Sequence, residues 1–304
     1  MEACKGSLCC IYGISILITS IVLITVYIPV LRVMQYPQFK KYFAYRLLSL
    51  LGLCDCVMLV SHFIASISLA TQYTLPFALN KILGSIFFSA WTTLMIVSTA
   101  VFVNRLSVVV FHQYSQYIFS ETNNKLIFAS IFLAFLTTLV LLLLPEFDYM
   151  YNPHLLIWVP STNQKVIQNL IRYKNILMFT TVLTGAVCYA LIIVFVLTTV
   201  RGRKTKFDKA VTLQVSFNLI WTISNYIYWS FIHPSLFQYT LTARFVASWF
   251  WTFSNGVNPF IYLVVNKALR ARVISFVRRK PEVIRTVTVF TAKTSPSKNT
   301  SLQR

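Results

Sequence analysis

The segment SNGVNPFIYLV, residues 254–264, lies inside a stretch from residue 245 to 266 that has no charged residue. Such a stretch is long enough to cross a bilayer as a helix. Yet it holds two asparagines, a glycine and a proline close together, and buried amides without partners are costly in hydrocarbon. We therefore expect a jointed helix whose polar hinge faces the inside of a helix bundle.

The composition of the whole chain supports a membrane protein. Only 11% of its 304 residues are charged and 57% are hydrophobic, whereas a soluble domain has about 25% charged residues. Long intervals carry no charge, such as the 26 residues between Lys5 and Arg32. These intervals predict seven membrane helices, at about 9–32, 46–70, 80–111, 125–145, 175–200, 210–233 and 244–265. The region 146–174 contains acids and prolines and is predicted to be a long loop.

The loop charges predict the orientation. Lys and Arg concentrate in the first loop, in the third loop and after the last span, which indicates the cytosolic side. The sequence thus predicts an all-α membrane protein, a seven-transmembrane helix bundle with its N-terminus, residues 1–8, outside. Residues 266–280 should form a basic amphipathic juxtamembrane helix, and 281–304 a disordered Ser/Thr-rich cytoplasmic tail. The net charge of +20 fits this topology and anionic lipid heads better than nucleic acid.

Ionisable residues inside spans are functional candidates because their burial is costly. Asp55 lies within the second span and has two interpretations. It is either a buried acid that hydrogen-bonds neighbouring helices, or part of a water- or sodium-filled polar site with Ser254, Asn255 and Asn258. The residues leave both open.

Three further positions suggest moving parts. Arg105 either snorkels to the cytosolic surface or is a switch residue in a cytosolic crevice. Phe217 and Trp221 are four residues apart and share a helix face. They are either ordinary packing residues or a pair that changes position as a switch. Pro259 removes the helical donor to the carbonyl of Asn255 and should kink the seventh helix.

These motifs together resemble the rhodopsin-like G-protein-coupled receptors. NPFIY resembles their Asn-Pro-x-x-Tyr motif, and Leu51 to Asp55 their Leu-x-x-x-Asp. Asn104-Arg105 resembles the acid-Arg pair at the end of helix three, and Phe217 to Trp221 the Phe-x-x-x-Trp of helix six. The nematode serpentine chemoreceptors, class T above all, are closer still, through VYIPVLRVM, YRLLSLLGLCDCVMLVSH, NKILGSIFFSAW, NRL and NPFIYL.

The chain departs from the receptor pattern at several places. Asn104 replaces the usual acid, so that Arg105 lacks its resting ion pair there; Asp208 is the remaining candidate. The predicted helix six, 210–233, has no proline after Trp221. The resembled receptors have a disulfide between helix three and the loop 146–174. This chain has no cysteine in that loop or near the outer end of helix three. Phe87 and Thr252 stand where a ligand-binding Asp and a retinal-binding Lys would be, which excludes an amine salt bridge or a Schiff base there.

The resemblance implies a chemosensory receptor, not an enzyme, that signals to a heterotrimeric G protein. Arrestin and a receptor kinase would be further partners, the location the plasma membrane or a sensory ciliary membrane, and no cofactor or metal is implied. An unknown small-molecule ligand would contact Phe87, Trp91, Asn225, Tyr228, Trp249 and Thr252. Arg105 and Tyr262 would face the G protein, with Asn104 and Tyr189 beside them. The alternatives are a ligand-gated channel-type chemoreceptor and a membrane transporter.

Overall fold

A computed structural model of the chain describes residues 6–160, 164–199, 209–236 and 240–278. The first four spans are α1 (Ser7–Met34), α3 (Phe43–Thr71), α4 (Phe77–Val109) and α6 (Glu121–Leu143). The fifth is α7 (Gln164–Thr199). The sixth is α8 (Lys209–Ile227), a π-helical turn (Tyr228–Ile232) and α9 (His233–Leu236), and the seventh is α10 (Leu241–Ser254) with α11 (Asn258–Val265). Short helices α2 (Pro37–Lys40) and α5 (His112–Ile118) lie in the first two loops on the predicted cytosolic side, and α12 (Lys267–Val277) follows the last span.

Length and composition separate the spans into two groups. Within the described residues, α1, α3, α4, α6 and the segment Lys165–Thr198 of α7 are each long and apolar enough to cross a membrane. The sixth and seventh spans are built from shorter helices joined by irregular turns. The predicted tail 281–304, Glu2 and Asp208 lie outside the described residues.

Helix α4 is the centre of the bundle. It packs against α3, α6 and α7, and its first half also contacts strand β1 (Tyr149–Asn152). Helix α1 packs against α3, α10 and α12. Many large apolar side chains are exposed along α1, α6 and α7, as expected for helices that face lipid.

The fifth span begins earlier than the predicted start at residue 175, so the predicted loop 146–174 is wrong over its second half. The sequence QKVIQNLIRYK, from residue 164, is the first part of α7. It contains no glycine or proline and consists mainly of good helix formers. The prediction relies on the absence of charge, and this part of the helix contains charged residues. The prediction therefore assigns it to the loop.

The sixth span is irregular just before its proline, Pro234, which has no N–H to donate to the carbonyl four residues earlier. A π-helical turn at Tyr228–Ile232 interrupts its regular helix, and a π-turn adds one residue to a helical turn. The side chains beyond it are therefore turned relative to those before it, as a proline kink would also turn them.

The seventh span is two helices rather than the single predicted helix 244–265. Helix α10 ends at Ser254 and α11 begins at Asn258, with Pro259 in its first turn. Proline suits that place because the first helical N–H groups have no intrahelical acceptor. Gly256 lies against α1, where an added Cβ would be 2.4 Å from Cδ1 of Leu23. A larger residue at Gly256 would therefore require the Leu23 side chain or α1 to move.

The basic helix after the last span is held to the bundle by its own polar residues. Asn266 caps α12 by accepting a bond from the Leu269 amide at 3.1 Å, and it donates to the Tyr45 hydroxyl at 2.8 Å. Arg270 donates to the carbonyls of Leu263 and Val264 at 3.0 and 2.8 Å. The last carbonyls of α11 are thus satisfied, and the turn between the two helices is fixed.

A β-hairpin follows the fourth span within the predicted loop. Strand β1 pairs antiparallel with β2 (Ile157–Pro160), and Tyr149 lies opposite Pro160. The Asn152 side chain accepts bonds from the amides of His154 and Leu155 at 2.9 and 3.2 Å, which shapes the turn. Leu156 adopts a positive φ of 58° to complete it.

Polar contacts fasten this hairpin to the start of α4 and to α10. The Asn80 amide donates to the carbonyl of Tyr151 at 3.0 Å and accepts from its N–H at 2.8 Å. Lys81 forms an ion pair with Asp148 at 2.9 Å, and Arg244 donates to the carbonyl of His154 at 3.0 Å. These contacts hold the loop at helix three, where the resemblance implied a disulfide that this chain cannot form.

We expect Asn80→Ala to loosen the hairpin, since it leaves both main-chain groups of Tyr151 without their partner. Leaving such buried groups unsatisfied costs about 1–3 kcal/mol each. Hydrogen exchange should accelerate at the Tyr151 amide, and the purified protein should unfold at a lower temperature.

The matched control for this test is Asn123→Ala. Asn123 also donates two bonds to main-chain carbonyls, those of Tyr117 and Ile118, but in the second loop, beyond the other end of α4. It should leave exchange in the hairpin unchanged. Equal exchange at Tyr151 in the Asn80→Ala protein and the unaltered protein would show that other contacts hold the hairpin.

Candidate functional site

Asp55 is the centre of a polar group that joins three spans. It is 1% exposed and lies in the middle of α3. Its Oδ2 accepts one bond from the Tyr27 hydroxyl of α1 and another from Nδ2 of Asn258, at 2.8 Å, at the start of α11. The second and seventh spans thus meet at Asp55, and α1 joins them there.

The other predicted members of this group have different partners. Ser254 donates to Oδ1 of Asn225 at 3.0 Å, and Nδ2 of Asn225 bonds the carbonyl of Trp221 at 2.9 Å. This connects the seventh span to the sixth. Asn255 is 5% exposed, and its Nδ2 has no hydrogen-bond partner among the described residues. Neither Ser254 nor Asn255 bonds Asp55.

Sequence reasoning did not include Tyr27 in this group. Its hydroxyl lies in an interval otherwise without charge, and Tyr27 is completely buried. A tyrosine in the middle of a membrane span needs a partner for its hydroxyl, and this need was the signal available.

A cavity of about 360 Å³ extends from this polar group to the hairpin. Five of the chain's six tryptophans line it, together with apolar residues of α4 and α7. Asp55, Asn255 and Asn258 line it as well, and the hairpin contributes Tyr149 and Trp158. An aromatic enclosure with few polar groups is the usual form of a small-molecule site.

Two of the six predicted ligand contacts line this cavity, namely Trp91 and Asn225. Phe87 is completely buried outside the lining, and its ring stacks on Trp158 at 5.1 Å and contacts Trp251 edge-on at 5.0 Å. It therefore supports the cavity wall. Thr252 is also completely buried and bonds the carbonyl of its own helix at Ser248.

The remaining two predicted contacts face elsewhere. Trp249 donates through Nε1 to Oγ1 of Thr19, at 3.1 Å, and is 38% exposed beside α1. Tyr228 packs on Phe250 at 4.4 Å. Instead, Trp229 and Trp251 belong to the lining, and their rings meet at 5.0 Å. The π-turn and the break in the seventh span change the helix register, which a regular 3.6-residue period cannot anticipate.

The proposed switch pair of the sixth span is separated. Trp221 lines the cavity, and its ring lies 5.8 Å from that of Phe250. Phe217 is 46% exposed on the outside of the bundle. Of the two, Trp221 is therefore the residue that a bound ligand could reach.

The residues predicted to meet the G protein lie at the end of the bundle opposite the hairpin. Tyr189 and Tyr262 are buried, 5% and 1% exposed, in one apolar cluster with Phe102. Asn104 is buried, while Arg105 is partly exposed and close enough to Tyr189 to act on it electrostatically. The structure thus brings Arg105, Tyr189 and Tyr262 to one region.

The described residues contain no group of three or more His, Cys, Asp or Glu side chains that could hold a metal ion. The structure contains a ligand-sized cavity, with Asp55 and Asn258 in its wall beside the break in the seventh span. Arg105 lies nearer the end of the bundle opposite the hairpin. Such an arrangement can bind a molecule and change the packing of helices.

Comparison with solved structures identifies the fold. The crystal structure of squid rhodopsin matches with a TM-score of 0.68 over 92% of this chain and 87% of that chain, at 16% sequence identity. The seven-span arrangement of α1, α3, α4, α6, α7, α8–α9 and α10–α11 is therefore a rhodopsin-like bundle. No curated protein sequence matches this chain significantly.

Comparison with protein families identifies the group. The family model "Serpentine type 7TM GPCR chemoreceptor Srt" matches residues 2–286, nearly the whole chain. This family consists of G-protein-coupled receptors of the membrane and is not an enzyme family. The chain belongs to the Srt family of serpentine seven-transmembrane G-protein-coupled chemoreceptors.

Proposed function

We propose that this receptor detects its small-molecule ligand in the cavity beneath the hairpin and transmits the signal through Asp55 and Asn258. One observation supports this above all. The same cavity is lined by aromatic residues next to the hairpin and by the polar residues of the joint in the seventh span. A ligand held there touches both Trp221 and the joint, so that it can favour one of two bundle packings.

The transmission step uses the contacts of the joint. Asn258 begins α11, and the buried Tyr262 lies one helical turn later. A rotation at residues 255–257 would break or reshape the Asn258–Asp55 bond and displace Tyr262 towards or away from Arg105. Water or Na⁺ beside Asp55 is part of this proposal, since a cavity wall with buried polar groups accommodates ordered solvent.

The proposed setting follows from the loop charges. The hairpin faces the outside of the cell, the basic loops and α12 face the cytosol, and the receptor resides in the plasma membrane, with the sensory ciliary membrane as its specialised site. Arrestin and a receptor kinase would act on the Ser/Thr-rich tail. Glycosylation sites introduced before residue 8 should be modified only with the N-terminus outside. The ligand-gated channel alternative has the reverse orientation.

The direct test is a ligand screen in cells that express the receptor with a promiscuous G protein. Activation by a small molecule, lost on Trp221→Ala but not on Phe217→Ala, would support the cavity as the binding site. Phe217 is a suitable control because it lies on the same helix and faces outward.

We expect Arg105→Ala to abolish agonist-stimulated G-protein activation without loss of surface expression. The matched control is Lys125→Ala, which removes a basic side chain that is 77% exposed near the start of α6. Full signalling by the Arg105→Ala receptor would remove Arg105 from the mechanism.

Asn104→Asp should lower signalling in the absence of ligand. It would provide the acid that Asn104 replaces, and an ion pair with Arg105 should stabilise the resting arrangement. The measurement is basal G-protein activity at equal surface expression. An unchanged basal level would contradict the idea that the missing acid leaves this receptor less restrained.

Tyr27→Phe should weaken the polar group, because it removes one of the two side-chain donors to the buried Asp55. An intramolecular hydrogen bond contributes about 0.5–1.5 kcal/mol, so the melting temperature should fall and agonist potency should change. Tyr12→Phe is the control. The Tyr12 hydroxyl bonds Oγ1 of Thr242 at 3.0 Å, between α1 and α10 away from Asp55, and this variant should keep its agonist potency. If both variants leave potency unaltered, Tyr27 has only a structural role.

A further inference from the structure

The cavity contains one lysine, Lys174, in the first half of α7. It lines the cavity together with five tryptophans and is partly exposed. A lysine that only set the topology would extend its ammonium to the membrane surface. Its place in the ligand cavity instead requires another explanation.

Lys174 forms no ion pair within the described part of the chain. The ion pairs there are Lys81 with Asp148 and Lys125 with Glu121. The remaining acids are Glu146, which is exposed, and Asp55, which lines the same cavity but bonds Tyr27 and Asn258 instead of Lys174. A partly buried cation that forms no ion pair is costly, and an anion that enters the cavity would reduce that cost.

The surroundings of Lys174 reinforce the same preference. The indole Nε1 of Trp158 is buried and has no hydrogen-bond partner among the residues that the structure describes, and Trp158 lines the cavity from the hairpin. His233 lines the same part of the cavity, and its ring packs on that of Trp229 at 4.6 Å. This half of the cavity therefore presents donors and positive charge.

The rest of the lining suits an apolar body. Phe88, Trp91, Met178 and Trp251 form the walls between Lys174 and the joint. At the far end, the unpartnered Nδ2 of Asn255 offers one further donor. The cavity therefore matches a molecule with an anionic group at one end and an apolar body. A single hydrogen-bond acceptor at the other end could bond Asn255.

We propose that the ligands of this receptor are small organic acids, whose carboxylate binds Lys174 and whose apolar body occupies the tryptophan-lined cavity. This inference rests on the proposed function, which assigns the cavity as the ligand site. It adds the chemical class of the ligand and the residue that selects it.

The test compares matched probes on the purified receptor. 3-Phenylpropanoate and octanoate are the acids, their methyl esters and alcohols are the neutral counterparts, and 3-phenylpropylamine is the cationic one. Binding is measured as a rise in melting temperature with ligand concentration, independently of any G protein. The acids should bind about 10- to 100-fold more tightly than the esters, as expected for a charge-assisted contact.

Variants of Lys174 assign the preference to this residue. Lys174→Met should remove the advantage of the acids and leave ester binding unchanged, which also shows that the variant is folded. Lys174→Arg should retain the acid preference. Arg172→Met removes a positive charge from an exposed position two residues earlier on the same helix and should change nothing.

The outcomes separate the two proposals. Equal binding of acids and esters, an acid preference that persists in Lys174→Met, or no acid binding at about 1 mM would each overturn the inference. Acid binding that depends on Lys174 but never activates a G protein would support the ligand class and contradict the proposed signalling. Activation by neutral compounds through Trp221, unaffected by Lys174→Met, would keep the proposed function and remove this inference.

Discussion

The buried carboxylate of Asp55 is the constraint on which the rest of the structure depends. Burying it in a bilayer-spanning bundle is costly unless donors surround it, and the donors come from Tyr27 on α1 and Asn258 on α11. Three spans distant in sequence must therefore meet at one point. Because Asn258 also starts a new helix after the break at 255–257, this contact lies directly beside an interruption of the seventh span.

The hairpin above the cavity is held by a different principle. Its tether consists of side-chain bonds from Asn80 and Lys81 to the main chain and to Asp148. Strand β1 also lies directly against α4 at Gly84, where an added Cβ would be 1.7 Å from the carbonyl oxygen of Tyr149. Close packing and polar contacts thus replace the covalent link that the resembled receptors lead one to expect.

Much of this structure could be predicted from the sequence, and the failures have physical reasons. The charge-free intervals predicted the membrane helices because charged side chains are costly in lipid. The motif around Asn258 and Pro259 predicted the break in the seventh helix. The first part of α7 was missed because its helix leaves the apolar interval. Tyr228, Trp249 and Thr252 were expected in the pocket but lie outside its lining, and the sequence does not reveal the π-turn and the helix break near which they lie. Tyr27 was overlooked because a lone tyrosine in an apolar helix carries no motif.

The tether of the hairpin has a consequence for how the receptor responds to its redox surroundings. The ion pair of Lys81 and the hydrogen bonds of Asn80 contain no sulfur, whereas a disulfide bridge breaks on reduction. The attachment of the hairpin to the first half of α4 should therefore persist under reducing conditions that would release a loop held by a disulfide.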